Sequence, residues 1–296
     1  ESGIFELEGR AIPGFAALIR ATSRIDEPVR RASREQESRV ETAFKPSGVI
    51  SITTDFGHRG PFVGTMKGVI LKRLPGAQIV DLTHEAHVHW PAEAGFWLER
   101  SYHYFPAGTV HLAVVDPGVG TDRDVLLVVG KGHAFLAPDN GLLGDVVARV
   151  DGTVYRIEAT RLKSLGIDRL SATFHGRDLF APLAAELAAG SVAPASLGAP
   201  ADDFVPSLIE TPELRSGELH GMVITTDHFG NLITNIESAE LAAFRRPEVR
   251  AAGHRIPLAR TYGDVAPGEL IALVNSFDVL EIAVAEQNAA TLLGLG

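Results

Sequence analysis

Residues 109–123 read Thr-Val-His-Leu-Ala-Val-Val-Asp-Pro-Gly-Val-Gly-Thr-Asp-Arg. The β-branched and apolar run Val110–Val115 predicts a buried strand, which ends at Asp116 because the following Pro-Gly pair turns the chain. Ligands of open α/β sheets bind outside the carboxyl ends of the strands, so Asp116 and the nearby Arg123 are candidate site residues. An Asp before Pro-Gly is also ordinary turn chemistry, and for this stretch alone a plain turn is the stronger interpretation.

Strands and helices alternate on either side of this stretch. Predicted strands that share β-branched, apolar composition are Val49–Thr53, Gln78–Leu82, Val110–Val115, Val125–Val129 and Ala134–Ala137. Helical spacing covers Gly64–Leu74, Ala92–Tyr104 and a segment that ends at Arg149. This alternation of strands and helices predicts an α/β domain with a mostly parallel central sheet. Several strands end in a polar residue followed by Gly or Pro, so one rim of the sheet is suited to ligand contact.

Composition shifts over residues 191–217, where Pro, Ala, Ser and Asp accumulate, and this shift predicts a domain boundary. The short strands and tight turns beyond it predict a small β-barrel or sandwich. We therefore expect an N-terminal α/β domain over 47–205 and a smaller C-terminal β-barrel domain over 212–296. Residues 1–46, dense in Arg and Glu, are expected to be a solvated or flexible leader without chemistry.

The composition excludes several classes of protein. The chain has 296 residues, 45% hydrophobic and 22% charged, which is typical of globular proteins. Its net charge is -10, and residues 1–45 balance eight Lys/Arg against eight Asp/Glu, so the acidic excess lies in the rest of the chain and nucleic acid is not an expected partner. Without Cys, disulfide-stapled secreted folds are excluded and a cytoplasmic location is expected. No apolar run approaches the ~20 residues that a membrane helix needs.

The sequence lacks the familiar nucleotide-binding and zinc-binding motifs. Gly118-Val-Gly120 follows a strand, but Arg123 stands where the dinucleotide fingerprint needs Gly, and no P-loop sequence occurs. Zincin chemistry needs two His at i and i+4, and Val88 stands four residues after His84. The polar run 84–89, with histidines at 84, 87 and 89 and Glu85, is therefore interpreted as a polar loop, and no metal site is predicted.

Two further stretches carry candidate residues. In Ser-Ala-Thr-Phe-His-Gly-Arg-Asp at 171–178, Asp178 is expected to cap a helix, and the helix N-terminus should keep His175 neutral. In Asp-His-Phe-Gly-Asn at 227–231, the carboxylate, ring and amide suit a nucleoside, whereas a simple hairpin turn explains the stretch equally well.

Eight motifs occur in an order that is more specific than any one of them. They are Thr-Asp-Phe-Gly at 54–57, Val-Asp-Leu-Thr-His at 80–84, Phe-Pro-Ala-Gly-Thr-Val at 105–110, Val-Asp-Pro-Gly-Val-Gly-Thr-Asp-Arg at 115–123, Ala-Pro-Asp-Asn-Gly-Leu-Leu at 137–143, Thr-Phe-His-Gly-Arg-Asp at 173–178, Asp-His-Phe-Gly-Asn at 227–231 and Val-Asn-Ser at 274–276. Over residues 47–296 the chain thereby resembles the S-adenosylmethionine hydroxide adenosyltransferases, relatives of the fluorinating and chlorinating enzymes.

The resemblance implies an α/β domain followed by a β-barrel, assembled as a homotrimer with active sites at the subunit interfaces. It implies hydrolysis of S-adenosylmethionine, in which water attacks the ribose 5′ carbon and releases adenosine and methionine. It implies no metal or redox cofactor, and the partners are S-adenosylmethionine and water.

The family's catalytic set falls on Asp116, Arg123 and His175, and the halide-using relatives carry Tyr in place of Asp116. Fluorinating members carry Ser in place of Gly176. The resemblance implies that Asp55 binds the ribose hydroxyls. Substrate contacts are likewise implied for five other residues: Phe174, Asp227 at the methionine amino group, Phe229, Asn231 at adenine and Ser276 at the methionine carboxylate. The fluorinating enzymes have one extra residue between the positions of Asp227 and Phe229, a departure that bears on the Asp227 contact.

Alternatives remain at the level of the reaction. The proton of the attacking water is accepted by Asp116 or by neutral His175, with Arg123 orienting the carboxylate or favouring hydroxide. The rival activities are halide adenosyl transfer, a nucleoside-binding module without turnover, and metal-dependent hydrolysis.

Overall fold

The computed structural model describes residues 18–19, 44–245 and 247–295. These residues form two compact units, and the division falls between Leu208 and Ile209. Most of the leader expected over residues 1–46 lies outside the described residues.

The first unit is built on a seven-stranded sheet. Its strands are β2 (Val49–Thr54), β3 (Gln78–Thr83), β4 (Val110–Val114), β5 (Val125–Gly130), β6 (His133–Pro138), β7 (Thr153–Ile157) and β8 (Gly198–Pro200), after a short β1 (Leu18–Ile19) that belongs to the second unit. The order is β3-β2-β4-β6-β5-β7-β8, in which β3, β2, β4, β6 and β7 run one way while β5 and β8 run the other. The mostly parallel α/β sheet predicted from the sequence is therefore present.

Helices pack on this sheet. They are α1 (Phe62–Arg73), α2 (Pro91–Ser101), α3 (Gly144–Val150), α4 (Ala159–Ser164) and α5 (Ala181–Ala189). Helix α1 buries Val63, Met66 and Ile70, which recur at helical spacing, and Met66 and Ile70 belong to the core that includes the central strands. Helix α5 ends at Gly190 in the left-handed conformation, as the sequence predicts. Over the described residues no helix has the length and apolarity to cross a membrane.

One local expectation is wrong. Asp178 does not cap a helix, because residues Gly176–Phe180 form a π-helical turn that continues into α5. The N-cap position falls on His175, and Asp178 instead accepts a hydrogen bond of 2.8 Å from the backbone N–H of Ser171. The carboxylate thus ties the preceding loop to the turn.

The second unit is an antiparallel sheet with small helices. Its further strands are β9 (Glu213–Arg215), β10 (Glu218–Thr226), β11 (Leu232–Glu237), β12 (Val249–Ala251), β13 (His254–Ile256), β14 (Leu270–Val274) and β15 (Val279–Val284), with α6 (Ser238–Leu241) and α7 (Ala289–Leu293). The main path runs β1-β10-β11-β15-β14, with β9 also on β10, and β12-β13 form a separate hairpin.

The expected closed β-barrel is not found among the described residues. The sheet is open, because β14, its last strand, does not pair with β1 or β9 at the other edge. On its free side, over the residues that the structure describes, β14 makes only an isolated bridge, between Ala272 and Leu258. The main core of this unit contains apolar residues such as Leu232, Ile236 and Ile282, and a smaller buried cluster contains Ile271, Leu273 and Ala283.

Candidate active site

Strand register brings two candidate carboxylates to one edge of the sheet. Strands β2 and β4 are parallel neighbours with Thr54 opposite Val114. Asp55 follows the first strand directly, and Asp116 lies two residues beyond the end of the second. Because the carboxyl ends of parallel strands meet at the same edge, both side chains reach the rim where α/β proteins bind ligands.

Asp116 and Arg123 form a tight ion pair. Nε of Arg123 donates to both carboxylate oxygens of Asp116, at 2.8 and 3.0 Å, and its Nη2 donates to Oδ2. The side chains are 5% and 10% exposed, so water screens the pair little. The guanidinium carbon also lies 5.4 Å from the ring centroid of the buried Phe180. The carboxylate is therefore held in one orientation.

His175 completes a chain of three groups. Nη2 of Arg123 lies 3.1 Å from Nδ1 of His175. Burial, followed by the positive charge of Arg123, lowers the pKa of His175, so the ring is neutral near pH 7. Guanidinium is a donor only, so Nδ1 accepts the hydrogen bond and the ring proton sits on Nε2. The sequence predicted a neutral His175, but the cause is burial and Arg123 rather than a regular helix N-terminus.

The loop that carries Asp116 is fixed at both ends. Nδ2 of Asn140 donates to the carbonyl of Val115 at 2.8 Å, immediately before the catalytic candidate. Gly120 has a φ of +80°, and a Cβ there would collide with the carbonyl oxygen of Ala172. Glycine therefore lets this loop approach the segment that carries His175.

Asp55 lies beside an aromatic cluster. The ring of the adjacent Phe56 contacts Phe62 and Phe174 at centroid distances of 6.2 and 5.9 Å, and Phe62 contacts Phe174 at 5.4 Å. Phe62 is 49% exposed, so the cluster presents an apolar surface next to the carboxylate. Such a surface is suited to a ribose or base carrying little charge.

Sequence reasoning missed a network of polar contacts behind Asp55. Nδ1 of the buried His84 lies 2.9 Å from Oγ1 of Thr54, its Nε2 lies 3.1 Å from Asp81, and Lys67 donates to Asp81 at 2.6 Å. The available signal was the motif Val-Asp-Leu-Thr-His at 80–84, which places an Asp and a His three residues apart where β3 ends. Residues 84–89 do form a loop after β3, as the sequence predicts, but His84 is buried in it.

In the second unit, Asp227, Phe229 and Asn231 share the turn between β10 and β11. Oδ1 of Asp227 accepts from the backbone N–H groups of Phe229 and Asn231, both at 2.9 Å, and its Oδ2 accepts from Nδ2 of Asn231 at 3.0 Å. The ring of Phe229 is 74% exposed. The stretch is therefore a turn between two strands, as one interpretation predicts. A nucleoside contact is compatible with it, because Oδ2 of Asp227 keeps further lone pairs and the ring of Phe229 is uncovered.

Ser276 is exposed in the turn between β14 and β15. Its neighbour Asn275 donates to Oε2 of the buried Glu281 at 3.2 Å, and the hydroxyl of Tyr262 donates to Oε1 at 2.6 Å. Burial raises the pKa of Glu281 and that of Tyr262. This network fixes the base of the turn that presents Ser276.

No group of three or more His, Cys, Asp or Glu side chains arranged to hold a metal ion occurs among the residues described.

Comparisons with known proteins cover most of the chain. Residues 50–198 match the model of the SAM hydroxide adenosyltransferase N-terminal domain, and residues 221–296 match that of the corresponding C-terminal domain. A protein named (R)-S-adenosyl-L-methionine hydrolase from Salinispora tropica is 40% identical over 262 residues, which cover 84% of this chain and 95% of the relative. A protein of the same name from Thermus thermophilus is 38% identical over 251 residues, covering 82% and 94%.

A solved structure of an uncharacterized conserved protein from Thermotoga maritima has a similar fold. The TM-score is 0.74 at 32% identity, and the match covers 83% of this chain and 96% of that one.

Proposed function

The chain belongs to the SAM hydroxide adenosyltransferase family, and on that premise we propose that it hydrolyses S-adenosyl-L-methionine to adenosine and L-methionine. The observation that carries the proposal is the buried chain Asp116–Arg123–His175 at the carboxyl edge of the sheet. This chain offers a fixed anion, a fixed cation and a neutral imidazole.

The reaction is an in-line displacement at the ribose C5′. A water oxygen forms a bond to C5′ while the C5′–S bond breaks, and the electron pair of that bond returns to sulfur, which leaves as the thioether of methionine. The water proton passes to the enzyme and then to solvent. Charge is balanced, because a sulfonium and a water give two neutral functional groups and one proton.

Asp116 is the proposed proton acceptor. The hydrogen bond from Arg123 to Nδ1 of His175 supports this assignment, since it leaves the ring with a donor at Nε2 rather than a free lone pair. Arg123 holds the carboxylate in place and stabilises negative charge as hydroxide character develops on the water. His175 then serves to fix Arg123 and to donate from Nε2.

Substrate positioning is proposed for the remaining candidates. Asp55 binds the ribose hydroxyls, and Phe174, within the aromatic cluster beside it, packs on the apolar face of the nucleoside. In the second unit, Asp227, Phe229 and Asn231 contact the methionine amino group and the adenine, and Ser276 contacts the methionine carboxylate. Holding both ends of the substrate aligns C5′ with the nucleophile, which can account for much of the rate.

Other parts of the proposal follow from the family resemblance. They are a homotrimeric assembly and operation without metal or redox cofactor, whereas a cytoplasmic location is proposed from the absence of Cys. Light scattering measures the assembly, and a chelator such as EDTA should leave the rate unchanged.

Halide adenosyl transfer is the rival within the family. Asp116, in place of the Tyr of halide-using relatives, supports water chemistry, because a buried carboxylate at the nucleophile position repels an incoming anion. Incubation with S-adenosylmethionine, with and without chloride, separates the two: adenosine and methionine support the proposal, and a 5′-chloro nucleoside contradicts it.

A further inference from the structure

The turn that carries Asp55 is connected to the protein interior by a chain of polar contacts, most of which are hydrogen bonds. Thr54 and Phe56 flank Asp55, and the backbone N–H of Phe56 donates to Oγ1 of Thr54 at 3.2 Å. This bond closes a three-residue turn with Asp55 at its centre. The position of the Thr54 hydroxyl therefore determines how the Asp55 backbone is held.

The Thr54 hydroxyl is itself held by His84. Thr54 is fully buried and His84 is 1% exposed, and Oγ1 of Thr54 lies 2.9 Å from Nδ1 of His84. On the other side of the ring, Nε2 lies 3.1 Å from Oδ1 of Asp81. Burial lowers the pKa of His84 despite the charge of Asp81, so the ring is neutral.

The directions of the hydrogen bonds in this chain follow from the groups. Burial by itself would raise the pKa of Asp81, but the hydrogen bond from Lys67 and the 3.1 Å contact with His84 hold it below its usual value, so Asp81 is an ionised acceptor. Nε2 of His84 must then carry the ring proton, and Nδ1 must accept the hydroxyl proton of Thr54. The oxygen of Thr54 is left with a lone pair for the amide of Phe56.

The loop after β3 also contacts Asp55 itself. The backbone N–H of His89 donates to Oδ2 of Asp55 at 3.0 Å, and His89 has a φ of 64°, a conformation that non-glycine residues seldom adopt. The N–H of Gly57 donates to the carbonyl of His84 at 2.8 Å, and the N–H of Ala86 donates to that of Thr54 at 3.3 Å. The two loops are therefore joined on both sides of Asp55.

These contacts leave one side of the carboxylate available. Oδ1 of Asp55 has no hydrogen-bond partner within the part of the chain that the structure describes, whereas Oδ2 is tied to His89. The carboxylate is thus aimed by the protein through one oxygen and offers the other to a ligand.

We propose that Lys67, Asp81, His84 and Thr54 form a positioning relay that sets the Asp55 carboxylate for the ribose hydroxyls, so that selectivity for a ribose over a deoxyribose substrate depends on residues that do not touch the substrate. The proposal rests on the proposed function, because it is that function that gives Asp55 a ribose to bind. None of the four is a catalytic residue.

The test uses Thr54→Val, which keeps the shape of the side chain and removes the hydroxyl, and Thr54→Ser, which keeps the hydroxyl. Rates are measured on the full chain with S-adenosylmethionine and with its 2′-deoxyribose analogue. We expect Thr54→Val to lower kcat/KM for the ribose substrate by about 10- to 100-fold, mostly through KM, because a small misplacement of a clamping group has effects of that size. The loss of kcat/KM with the deoxy analogue should be several-fold smaller. Thr54→Ser should keep kcat/KM for both substrates near the values of the unaltered protein.

Lys67→Met provides a variant at the partly exposed end of the relay, where folding is little at risk, since the Lys67 side chain is 32% exposed. Like Thr54→Val, it should lower the ratio of kcat/KM for the ribose substrate to kcat/KM for the deoxyribose analogue. Glu85→Gln is the matched control, since the Glu85 side chain lies in the same loop and is 68% exposed. It should leave both rates unchanged.

The outcomes are distinguishable. If the unaltered protein forms no adenosine, the proposed function fails. If it forms adenosine but Thr54→Val and Lys67→Met reduce both substrates by the same factor, or reduce neither, the positioning relay is refuted while the function stands.

Discussion

Nη2 of Arg123 donates to Nδ1 of His175 over 3.1 Å while the same guanidinium holds the carboxylate of Asp116. One planar cation thus joins an anion that follows β4 to an imidazole that precedes α5. The arrangement depends on the several donors that guanidinium presents in fixed directions.

Arg123→Lys should therefore lower kcat by about 100-fold although the charge is kept, because an ammonium cannot reproduce the donation to Asp116 and to His175 together. Thermal unfolding should change little, which circular dichroism would check. Arg161→Lys is the control, since the Arg161 side chain is 57% exposed and its rate should be unchanged. Full activity in Arg123→Lys would contradict the assigned geometry.

Activity should fall on the acid side of neutrality. Protonation of His175 would place a second N–H opposite the Arg123 donor and break that contact. Because burial and Arg123 hold the pKa of His175 below its ordinary value of about 6.5, the neutral ring persists below that pH and the acid limb of kcat lies there. A pH–rate profile from 5 to 9 measures this. An acid limb above pH 7 would contradict the direction of the pKa shift.

Stability should depend on pH through His111 and His133, two buried histidines in contact. Oγ of Ser51 lies 2.7 Å from Nδ1 of His111, whose Nε2 lies 3.1 Å from Nδ1 of His133, and the ring of Tyr102 packs on both imidazoles. Burial, followed by the charge of His133, lowers the pKa of His111 to about 3. Burial also lowers the pKa of His133.

The unfolded chain then binds protons below about pH 6.5 that the folded chain does not bind. The stabilisation is complete above that pH and is lost progressively as the pH falls, by up to about 1.4 kcal/mol per pH unit for each imidazole, and the contribution of His111 continues to fall until about pH 3. Urea unfolding at pH 7.5, 6 and 5 measures the slope of the free energy of unfolding against pH. His133→Gln should reduce it, whereas replacement of the exposed His254 by Gln should not.

Gly176 is closely packed, and a side chain here would require its neighbours to shift. A Cβ at this position would lie 3.2 Å from Sδ of Met66 and 3.3 Å from the ring of Phe56. Gly176→Ser should therefore destabilise the protein by about 1–3 kcal/mol through overpacking and should not create halide transfer. Gly64→Ser, where nothing lies within 4 Å, is the matched control. A 5′-chloro nucleoside from Gly176→Ser would contradict this account.

Much of the first unit could be predicted from sequence because buried parallel strands are continuous apolar runs with abrupt ends. The strands that contain Val49 and Val110 begin where predicted, and their ends locate Asp55 and Asp116. The reversed direction of β5 could not be predicted, since a buried strand has the same composition in either direction.

The prediction of a closed barrel in the second unit was wrong for a related reason. Short strands and tight turns are common to barrels and open sheets, and closure depends on whether the last strand pairs with the first, which no local pattern encodes. The relay behind Asp55 was missed because its members, from Lys67 to Thr54, are brought together by strand pairing rather than by a fixed spacing.

The central claim is that water, activated at Asp116, attacks C5′ of S-adenosylmethionine. The most direct test is mass spectrometry of the products formed in 18O-labelled water with chloride present. The account predicts methionine without label and adenosine with one labelled oxygen at the 5′ position, lost with Asp116→Asn but not with Asp122→Asn, its exposed neighbour in the same loop. A 5′-chloro nucleoside, or adenosine formation unaffected by Asp116→Asn, would contradict it.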